Sequence, residues 1–337
     1  MRAVFVTRLG GPEVLQIHEA PEPQVRPGKV LVEIEAAGVN FADAMMARGT
    51  YPGTPQPPFI AGREFCGTIV DSINSSGGRS TSTGASGFSP GDRVMGYCQG
   101  AAFAERVAVS ANSIWPAPKN WTAVEAAAFP VNFFTAYLAF WKAGLTDVGD
   151  SARRPRVLIH AVAGGVGTAA VEIAKILGIE TYGTSSSDEK LSRMRQLGLN
   201  HGINYKQDDY EEAIQKLTDG EGVDAVFEML GGEHTAKSTR CLAFLGRVIL
   251  YGTATGVQPQ FDVRTMYTKQ ASVHGLWLSP LASHKEVMEP AWQRMKEWID
   301  SGKLRPVVGH TLPLHRAGDA FRLLLERKNF GKVVLTV

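Results

Sequence analysis

A run of small residues near the middle of the sequence has the composition of a phosphate-binding turn. Residues 156–161 are aliphatic and β-branched, which predicts a buried strand, and residues 168–177 place apolar side chains at helical spacing. The turn between them contains Gly164, Gly165, Val166 and Gly167. Glycines there would let the backbone approach a pyrophosphate at the positive end of the following helix. Val162 stands where a strict G-x-G-x-x-G motif has its first glycine, so an ordinary strand-to-helix turn remains the alternative.

The end of the next predicted strand indicates which nucleotide this turn would bind. An NAD site usually has an acidic residue there, roughly 20 residues beyond the glycines, to bind the ribose hydroxyls. This chain instead has a run of hydroxyl residues, which are Thr184, Ser185, Ser186 and Ser187. Together with Lys190 they offer room and donors for a 2′-phosphate, which predicts NADPH, although Lys190 alone could be a solvated helix lysine. Asp188 follows the hydroxyl run, and its position fits a helix cap better than a ribose ligand.

The overall composition is that of a globular enzyme with two domains. The chain has 337 residues, and its net charge of +2 without a basic block argues against nucleic acid as a partner. Three separated cysteines form neither a disulfide framework nor a zinc motif, which is typical of a reducing compartment. The sequence begins with a strand-like run rather than a signal peptide, and its most apolar stretch, residues 124–141, contains Glu125 and Pro130. We therefore predict a cytoplasmic protein without an integral membrane segment.

The order of the predicted elements divides the chain into a β part and an α/β part. Residues 1–122 contain many short strands and turns, typical of a barrel-like domain, and residues 74–90 have the composition of a mobile hairpin tip. From residue 123 strands alternate with helices, which predicts a parallel sheet covered on both faces. The predicted strands are 157–161, 180–184, 202–204, 225–228, 247–251 and 272–278, and the helices between them are 168–177, 189–197, 210–217 and 235–242.

The last predicted strand, residues 332–337, has no partner in a complete six-stranded sheet. It should therefore return to the first domain, which makes that domain discontinuous. We assign residues 1–122 and 281–337 to one domain and residues 123–280 to the other.

Short motifs along nearly the whole chain resemble those of one enzyme family. They are AGVNFAD at 37–43, GTYP at 49–52, GREFCGTIV at 62–70, PGDRV at 90–94, AVAGGVG at 161–167, INY at 203–205, YGTA at 251–254 and NFGKVVL at 329–335. With these motifs the chain resembles the zinc-independent medium-chain dehydrogenase/reductase superfamily. Within it, the resemblance is to the quinone oxidoreductase branch, which includes zeta-crystallin-like proteins and homologues of the synaptic vesicle amine-transport protein. It implies an α/β fold, with a GroES-like β-barrel catalytic domain and a Rossmann domain whose doubly wound parallel sheet has six strands. It also implies a homodimer.

The resemblance further implies a site that works without a metal. Zinc-dependent relatives bind the catalytic zinc with Cys, His and Cys, and the matching positions here hold Asn40, Arg63 and Val131. Without this Lewis acid, the chemistry that remains is hydride delivery from NADPH to a quinone or an α,β-unsaturated carbonyl compound. The alternatives are an enoyl-thioester reductase of lipid or polyketide metabolism, and an NADPH-binding protein with a mainly non-enzymatic, membrane-associated or structural role.

Family comparison also implies individual site residues. Asn40 should bond the nicotinamide ribose or the substrate oxygen. Tyr51 matches the tyrosine thought to donate a proton in related enoyl-thioester reductases, although packing on the proline-rich loop is an equal alternative. His160 and His274 flank predicted buried strands, and we interpret both as core histidines with satisfied hydrogen bonds rather than as bases.

The remaining candidates would hold the cofactor. Thr135 should bond the nicotinamide carboxamide and Tyr205 should stack on the adenine, with a packing role as the alternative for each. The residues matched to those that hold the nicotinamide half in relatives are Gly252, Leu276 and Asn329.

Arg63 departs from the family pattern, because relatives without zinc usually have a smaller or uncharged side chain there. The hypothesis is that Arg63, held by Asp43 or Glu64, partly replaces the metal. Its cation would stabilise the developing enolate or hydroquinone oxyanion, or bind a substrate carboxylate. The alternative is a structural pair of Arg63 with Asp43 or Glu64, turned away from the substrate.

Overall fold

The computed structural model describes residues 1–72, 87–147 and 153–337. Most of the predicted hairpin tip at 74–90 therefore lies outside the described residues. The chain forms two compact units, one of Met1–Asn132 with Ser279–Val337 and the other of Phe133–Leu278. The first boundary lies at residue 132 rather than at 122, because the helix Ala123–Ala127 packs on strands of the first unit. The second boundary precedes residue 279 rather than 281.

The chain up to residue 132 is built mostly of strands. The strands are β1 (Arg2–Val6), β2 (Leu15–Glu19), β3 (Lys29–Val39), β4 (Phe59–Ile60), β5 (Glu64–Ser72), β6 (Arg93–Tyr97), β7 (Arg106–Ser110) and β8 (Ile114–Pro116), and the helices are α1 (Phe41–Ala47) and α2 (Ala123–Ala127). In β3, Val30, Val32 and Ile34 are buried whereas Glu33 and Glu35 are exposed. This alternation turns one face of the strand toward the core.

The second unit alternates strands with helices. Its elements are α3 (Pro130–Lys142, which begins in the first unit), β9 (Arg156–Ile159), α4 (Gly165–Leu177), β10 (Glu180–Ser185), α5 (Asp188–Leu197), β11 (His201–Asn204), α6 (Tyr210–Leu217), β12 (Val223–Glu228), α7 (Glu233–Arg240), β13 (Leu242–Leu250), α8 (Val263–Thr268) and β14 (Ser272–Gly275). The six strands form a parallel sheet in the order β11-β10-β9-β12-β13-β14. This is the strand order of the Rossmann fold, so the predicted doubly wound sheet is confirmed.

The prediction for the last strand of this sheet was partly wrong. β14 ends at Gly275 rather than at 278, and its side chains are partly exposed because it lies at the edge of the sheet. Leu278 instead begins a short helix.

The rest of the chain returns to the first unit. Its elements are α9 (Leu278–Leu281), α10 (Lys285–Asp300), β15 (Val308–Pro313), α11 (Ala317–Leu325) and β16 (Lys332–Thr336). β16 pairs with β3 and β15 in a seven-stranded sheet, as predicted for the last strand, while β1, β2 and β4 form a separate small sheet. The core between these elements includes Phe65, Phe103 and Phe321. Within the described ranges, no helix combines the length and apolar character needed to cross a membrane.

Candidate functional site

The glycine turn adopts the geometry that its sequence predicts. Helix α4 begins at Gly165, with Gly164 as its N-cap residue. A Cβ on Gly167 would lie 2.3 Å from the Val162 carbonyl oxygen, so a residue larger than glycine at this position would push the first turn of the helix away from Val162. The helix has 13 residues, and its first N–H groups carry the partial positive charge that binds a phosphate.

The carboxyl ends of the parallel strands bring several predicted nucleotide residues to one edge of the sheet. They are Ser185 and Ser186 at β10, Tyr205 after β11, Gly252 after β13 and Leu276 after β14. The Tyr205 N–H donates to the Ser185 carbonyl at 3.1 Å, which fixes the two strand ends together. Tyr205 is 38% exposed.

Two other predicted cofactor residues do not follow strands of this sheet. Thr135 is buried on α3. Asn329 belongs to the first unit, where its side-chain amide donates to the Gly331 carbonyl at 3.2 Å.

The cap of α5 corrects one prediction. Ser187 rather than Asp188 is the N-cap residue, and its Oγ accepts a hydrogen bond from the Lys190 N–H at 3.3 Å. Asp188 is the first helical residue, and its carboxylate accepts hydrogen bonds from Asn204 at 3.1 Å and Gln207 at 2.9 Å. The acid is thus held by neighbouring amides within the second unit.

His160 is a core histidine, as predicted. It is buried, with Nδ1 at 3.0 Å from the Thr184 hydroxyl and Nε2 at 2.9 Å from the Ser238 hydroxyl, and burial lowers its pKa. The Thr184 hydroxyl is therefore already used inside the fold. His274 was predicted to lie on a buried strand, but it is only partly buried on the edge strand β14, with Nε2 at 2.9 Å from the Ser272 hydroxyl.

A buried carboxylate organises the polar centre of the first unit. Glu64 Oε1 accepts hydrogen bonds from the Lys332 ammonium and, at 2.8 Å, from Asn40 Nδ2, while Oε2 accepts from the Val131 N–H at 2.7 Å. Lys332 also donates to Asn40 Oδ1 at 2.7 Å. We call Glu64, Lys332, Asn40 and the Val131 backbone the Glu64 cluster.

The Glu64 cluster contains a residue that sequence analysis missed. Lys332 is 3% exposed, although it is a lysine at the start of the apolar run KVVL. The sequence did contain a signal for this residue, which was a charged side chain at the first position of a strand whose other residues are mostly apolar. The cluster also joins Asn40 and Val131, two of the three positions that match zinc ligands in relatives.

Arg63 has partners other than those predicted. Its Nη2 donates to the Tyr97 hydroxyl and, at 2.5 Å, to the Ser279 Oγ, and these two hydroxyls are 2.7 Å apart. Among the described residues, neither predicted partner forms an ion pair in contact with Arg63. Lys332 neutralises Glu64, and Asp43 acts on the guanidinium only through its charge. The guanidinium carbon also lies over the Tyr51 ring, 4.9 Å from its centroid. We call Arg63, Tyr97, Ser279 and Tyr51 the Arg63 cluster.

Asp43 lies beside these clusters with an altered affinity for protons. One carboxylate oxygen accepts the Asn40 N–H at 2.8 Å, and the other, Oδ1, is buried and has no hydrogen-bond partner. Burial raises the pKa of Asp43 to about 6, although Arg63, the hydrogen bond from Asn40 and Lys332 each lower it. Asp43 can therefore change its protonation near neutral pH.

Among the described residues, no group of three or more His, Cys, Asp or Glu side chains is placed to hold a metal ion. Lys332 uses its three N–H donors on Asn40, Glu64 and Asn132, so the donors that a ligand could meet are those of Asn40 and Arg63. This donor set is suited to stabilising negative oxygen rather than to binding zinc.

Comparison with known proteins places this arrangement in a family. The model for the alcohol dehydrogenase GroES-like domain matches residues 26–119, and the model for zinc-binding dehydrogenases matches residues 165–297. The quinone oxidoreductase-like protein 2 homologue of Nematostella vectensis is 30% identical over 99% of this chain and 88% of its own length. The chain belongs to the quinone oxidoreductase branch of the medium-chain dehydrogenase/reductase superfamily. Its first unit is thus the GroES-like domain that the sequence predicts.

Other members of the branch are similarly related. The synaptic vesicle membrane protein VAT-1 homologue of Danio rerio is 31% identical over 99% of this chain and 70% of its own length. The quinone oxidoreductase of Thermus thermophilus, whose structures include a complex with NADPH, is 34% identical and matches with a TM-score of 0.83 over 100% of both chains.

Proposed function

We propose that this protein is an NADPH-dependent, zinc-independent reductase that delivers a hydride to a quinone or an α,β-unsaturated carbonyl compound. The observation that carries the proposal is the glycine turn before α4, next to the hydroxyl-bearing end of β10. Because β9 and β10 are adjacent parallel strands, a pyrophosphate at residues 164–167 would direct the attached ribose toward Ser185 and Ser186. The NADPH complex of the Thermus thermophilus relative supports the same choice of cofactor.

Residues of the second unit fit the nucleotide half of this cofactor. Thr184 and Ser187 use their hydroxyls within the fold, so we assign Ser186 and Lys190 to the 2′-phosphate and Ser185 to the ribose. Burial lowers the pKa of Lys190, and a neighbouring phosphate dianion would raise it again. Tyr205 would cover the adenine. Within this unit we retain Thr135, Gly252 and Leu276 as residues for the nicotinamide half, which supplies the hydride when the cofactor is bound. Asn329, in the first unit, stays a prediction from the family resemblance.

Residues of the first unit fit an electrophilic acceptor. Glu64 needs only one of the two hydrogens on Asn40 Nδ2, so the second can bond the acceptor oxygen or the nicotinamide ribose. The Arg63 guanidinium over the Tyr51 ring fixes the position of that phenol, which we assign as the proton donor. Arg63 itself supplies a fixed positive charge, which can stabilise negative oxygen on an acceptor.

We also propose a homodimer in the cytoplasm. The edge strand β14 and the segments on either side of it present partly or largely exposed apolar side chains, which are Val263, Tyr267, Val273 and Trp277. An unpaired strand edge with such side chains suits pairing with a second copy of the chain. A mass measurement by light scattering tests the dimer, and cell fractionation tests the location.

A substrate screen tests the proposed function. NADPH oxidation is followed with the purified protein against neutral quinones, small enones and enoyl-CoA thioesters at equal concentrations. We expect turnover with quinones or small enones to exceed turnover with the thioesters. Preferred turnover of the thioesters would indicate an enoyl-thioester reductase, and no turnover of any acceptor would favour a non-enzymatic role.

A further inference from the structure

The charge balance around Arg63 is unusual for a buried residue. Arg63 is 5% exposed, yet the hydrogen-bonding groups around it are neutral hydroxyls, those of Tyr97, Ser279 and Tyr51. Burial raises the pKa of Tyr97 even though Arg63 lowers it, so the phenol stays uncharged near neutral pH. A buried cation is normally compensated by an anion in contact with it. Within the described part of the chain, this guanidinium has no such contact.

Two buried polar atoms, one on this cation and one on a neighbouring side chain, have no hydrogen-bond partner. One is the donor Arg63 Nε, and the other is Asp43 Oδ1. Among the charged groups near Asp43, Arg63 has the largest effect on its pKa, and Lys332 and Glu64 have smaller effects. Because buried polar atoms are almost always satisfied in folded proteins, two orphaned atoms on neighbouring side chains suggest that a further group belongs there.

The aromatic neighbours limit how that group can approach. The guanidinium carbon lies over the rings of Tyr51 and Tyr97, 4.9 Å and 5.4 Å from their centroids. Arginine N–H groups point outward in the plane of the guanidinium. A new acceptor must therefore meet the Nε–H along the edge, which is the approach that a planar carboxylate makes to arginine.

We propose that Arg63 is the carboxylate-binding residue of the acceptor site, so that the substrate class is a conjugated carbonyl compound that carries a carboxylate. In this arrangement the Arg63 Nε–H donates to one carboxylate oxygen. When Asp43 is protonated its Oδ1–H donates to the same group, and both orphaned atoms are then satisfied. An ionised Asp43 would instead repel the ligand, so binding takes up a proton.

The proposal rests on the proposed reduction of a conjugated carbonyl compound, but it is tested by binding without turnover. The probe is 4-oxopentanoate, a saturated keto acid that cannot accept a hydride across a conjugated double bond, and its neutral match is 4-oxopentanamide. Calorimetric titration of the full-length protein, with and without NADPH, compares the two. We expect the acid to bind at least about tenfold more tightly than the amide. Lowering the pH from about 8 to about 6 should tighten the binding of the acid alone.

Variants assign the effect to the side chain. Arg63→Met should remove the preference for the acid, and Arg63→Lys should keep part of it because the cation remains. Arg305→Met is the control, since the Arg305 guanidinium lies at the surface of the same unit and pairs with Glu125 at 2.7 Å. It should bind both probes as the unmodified protein does.

The outcomes separate this proposal from the proposed function. Equal binding of acid and amide by the unmodified protein would overturn the carboxylate site, even if Arg63→Met fails to fold. An undiminished preference in folded Arg63→Met would overturn it as well. Reduction of neutral quinones is measured separately, so either idea can fail while the other stands.

Discussion

Lys332 donates a hydrogen bond from its ammonium group to the carboxylate of Glu64, although 268 positions separate them in the sequence. The two side chains are 3% and 0% exposed, and they join the strands β16 and β5 of one sheet. The pair therefore ties the last strand of the chain to the residue that orients Asn40.

Removing one partner of this pair should destabilise the protein strongly. Lys332→Met leaves Glu64 buried without its cation, and we expect a loss of about 3–5 kcal/mol in the free energy of unfolding, measured with urea. The double variant Lys332→Met with Glu64→Gln should recover part of the loss. Lys296→Met, which breaks the exposed pair with Asp300, should change stability by less than about 1 kcal/mol. A Lys332→Met variant as stable as this control would contradict a buried pair.

Lys190 should distinguish the two nicotinamide nucleotides. Lys190→Ala removes the cation assigned to the 2′-phosphate, so NADPH binding should weaken by about tenfold or more while NADH binding stays nearly unchanged. Fluorescence titration of both nucleotides provides the measurement. Lys216→Ala, an exposed lysine on α6, is the matched control. Equal losses for NADPH and NADH would remove Lys190 from the phosphate site.

Zinc should not accompany activity. Asn40, Arg63 and Val131 cannot supply the thiolates and imidazole of a catalytic zinc site, so metal analysis should give well under one zinc per chain. Incubation with a chelator should leave the reductase rate intact. One firmly held zinc per chain, with activity lost on its removal, would refute the assignment.

Asp43 should leave a signature in the pH dependence of stability. Its pKa is 3.8 ordinarily and about 6 in the folded protein, so between these values the folded state holds a proton that the unfolded chain has released. This contribution to the free energy of unfolding is present below about pH 3.8 and is lost as the pH rises through 6.

Asp43→Asn should remove that dependence. The difference between the unmodified protein and Asp43→Asn should change by about 1–3 kcal/mol across this window, in favour of the variant at high pH. Asp300→Asn, at an exposed carboxylate, should give no such difference. Parallel stability curves for the unmodified protein and Asp43→Asn would show that Asp43 titrates normally.

Local sequence patterns were sufficient to predict the α/β unit and the return of the last strand. The glycine turn and the regular spacing of apolar runs each lie within a short stretch of sequence, so they can be recognised without knowledge of the tertiary structure. The cap of α5 was placed one residue late, since Ser187 and Asp188 are both good capping residues and only the backbone decides between them. β14 is partly exposed because it lies at the edge of the sheet, and this position depends on the order of all six strands rather than on the sequence of β14 itself.

The partners of Arg63 could not be predicted in this way. Tyr97 and Ser279 lie 34 and 216 positions away, and no spacing rule connects them to Arg63. Nearby acids were the natural candidates, but Glu64 was already neutralised by a lysine from the far end of the chain. Long-range pairing of this kind depends on the tertiary fold, which brings β6 and α9 to Arg63 and β16 to Glu64.

The most direct test of the proposed function is a steady-state comparison of NADPH and NADH as reductants of one neutral quinone. The protein is first treated with a chelator and checked for residual metal, and the absorbance of the reduced nucleotide is followed at matched concentrations. We expect sustained quinone reduction with a kcat/KM for NADPH at least about tenfold above that for NADH. Activity that requires added zinc, or an equal or higher kcat/KM with NADH, would contradict the proposed function.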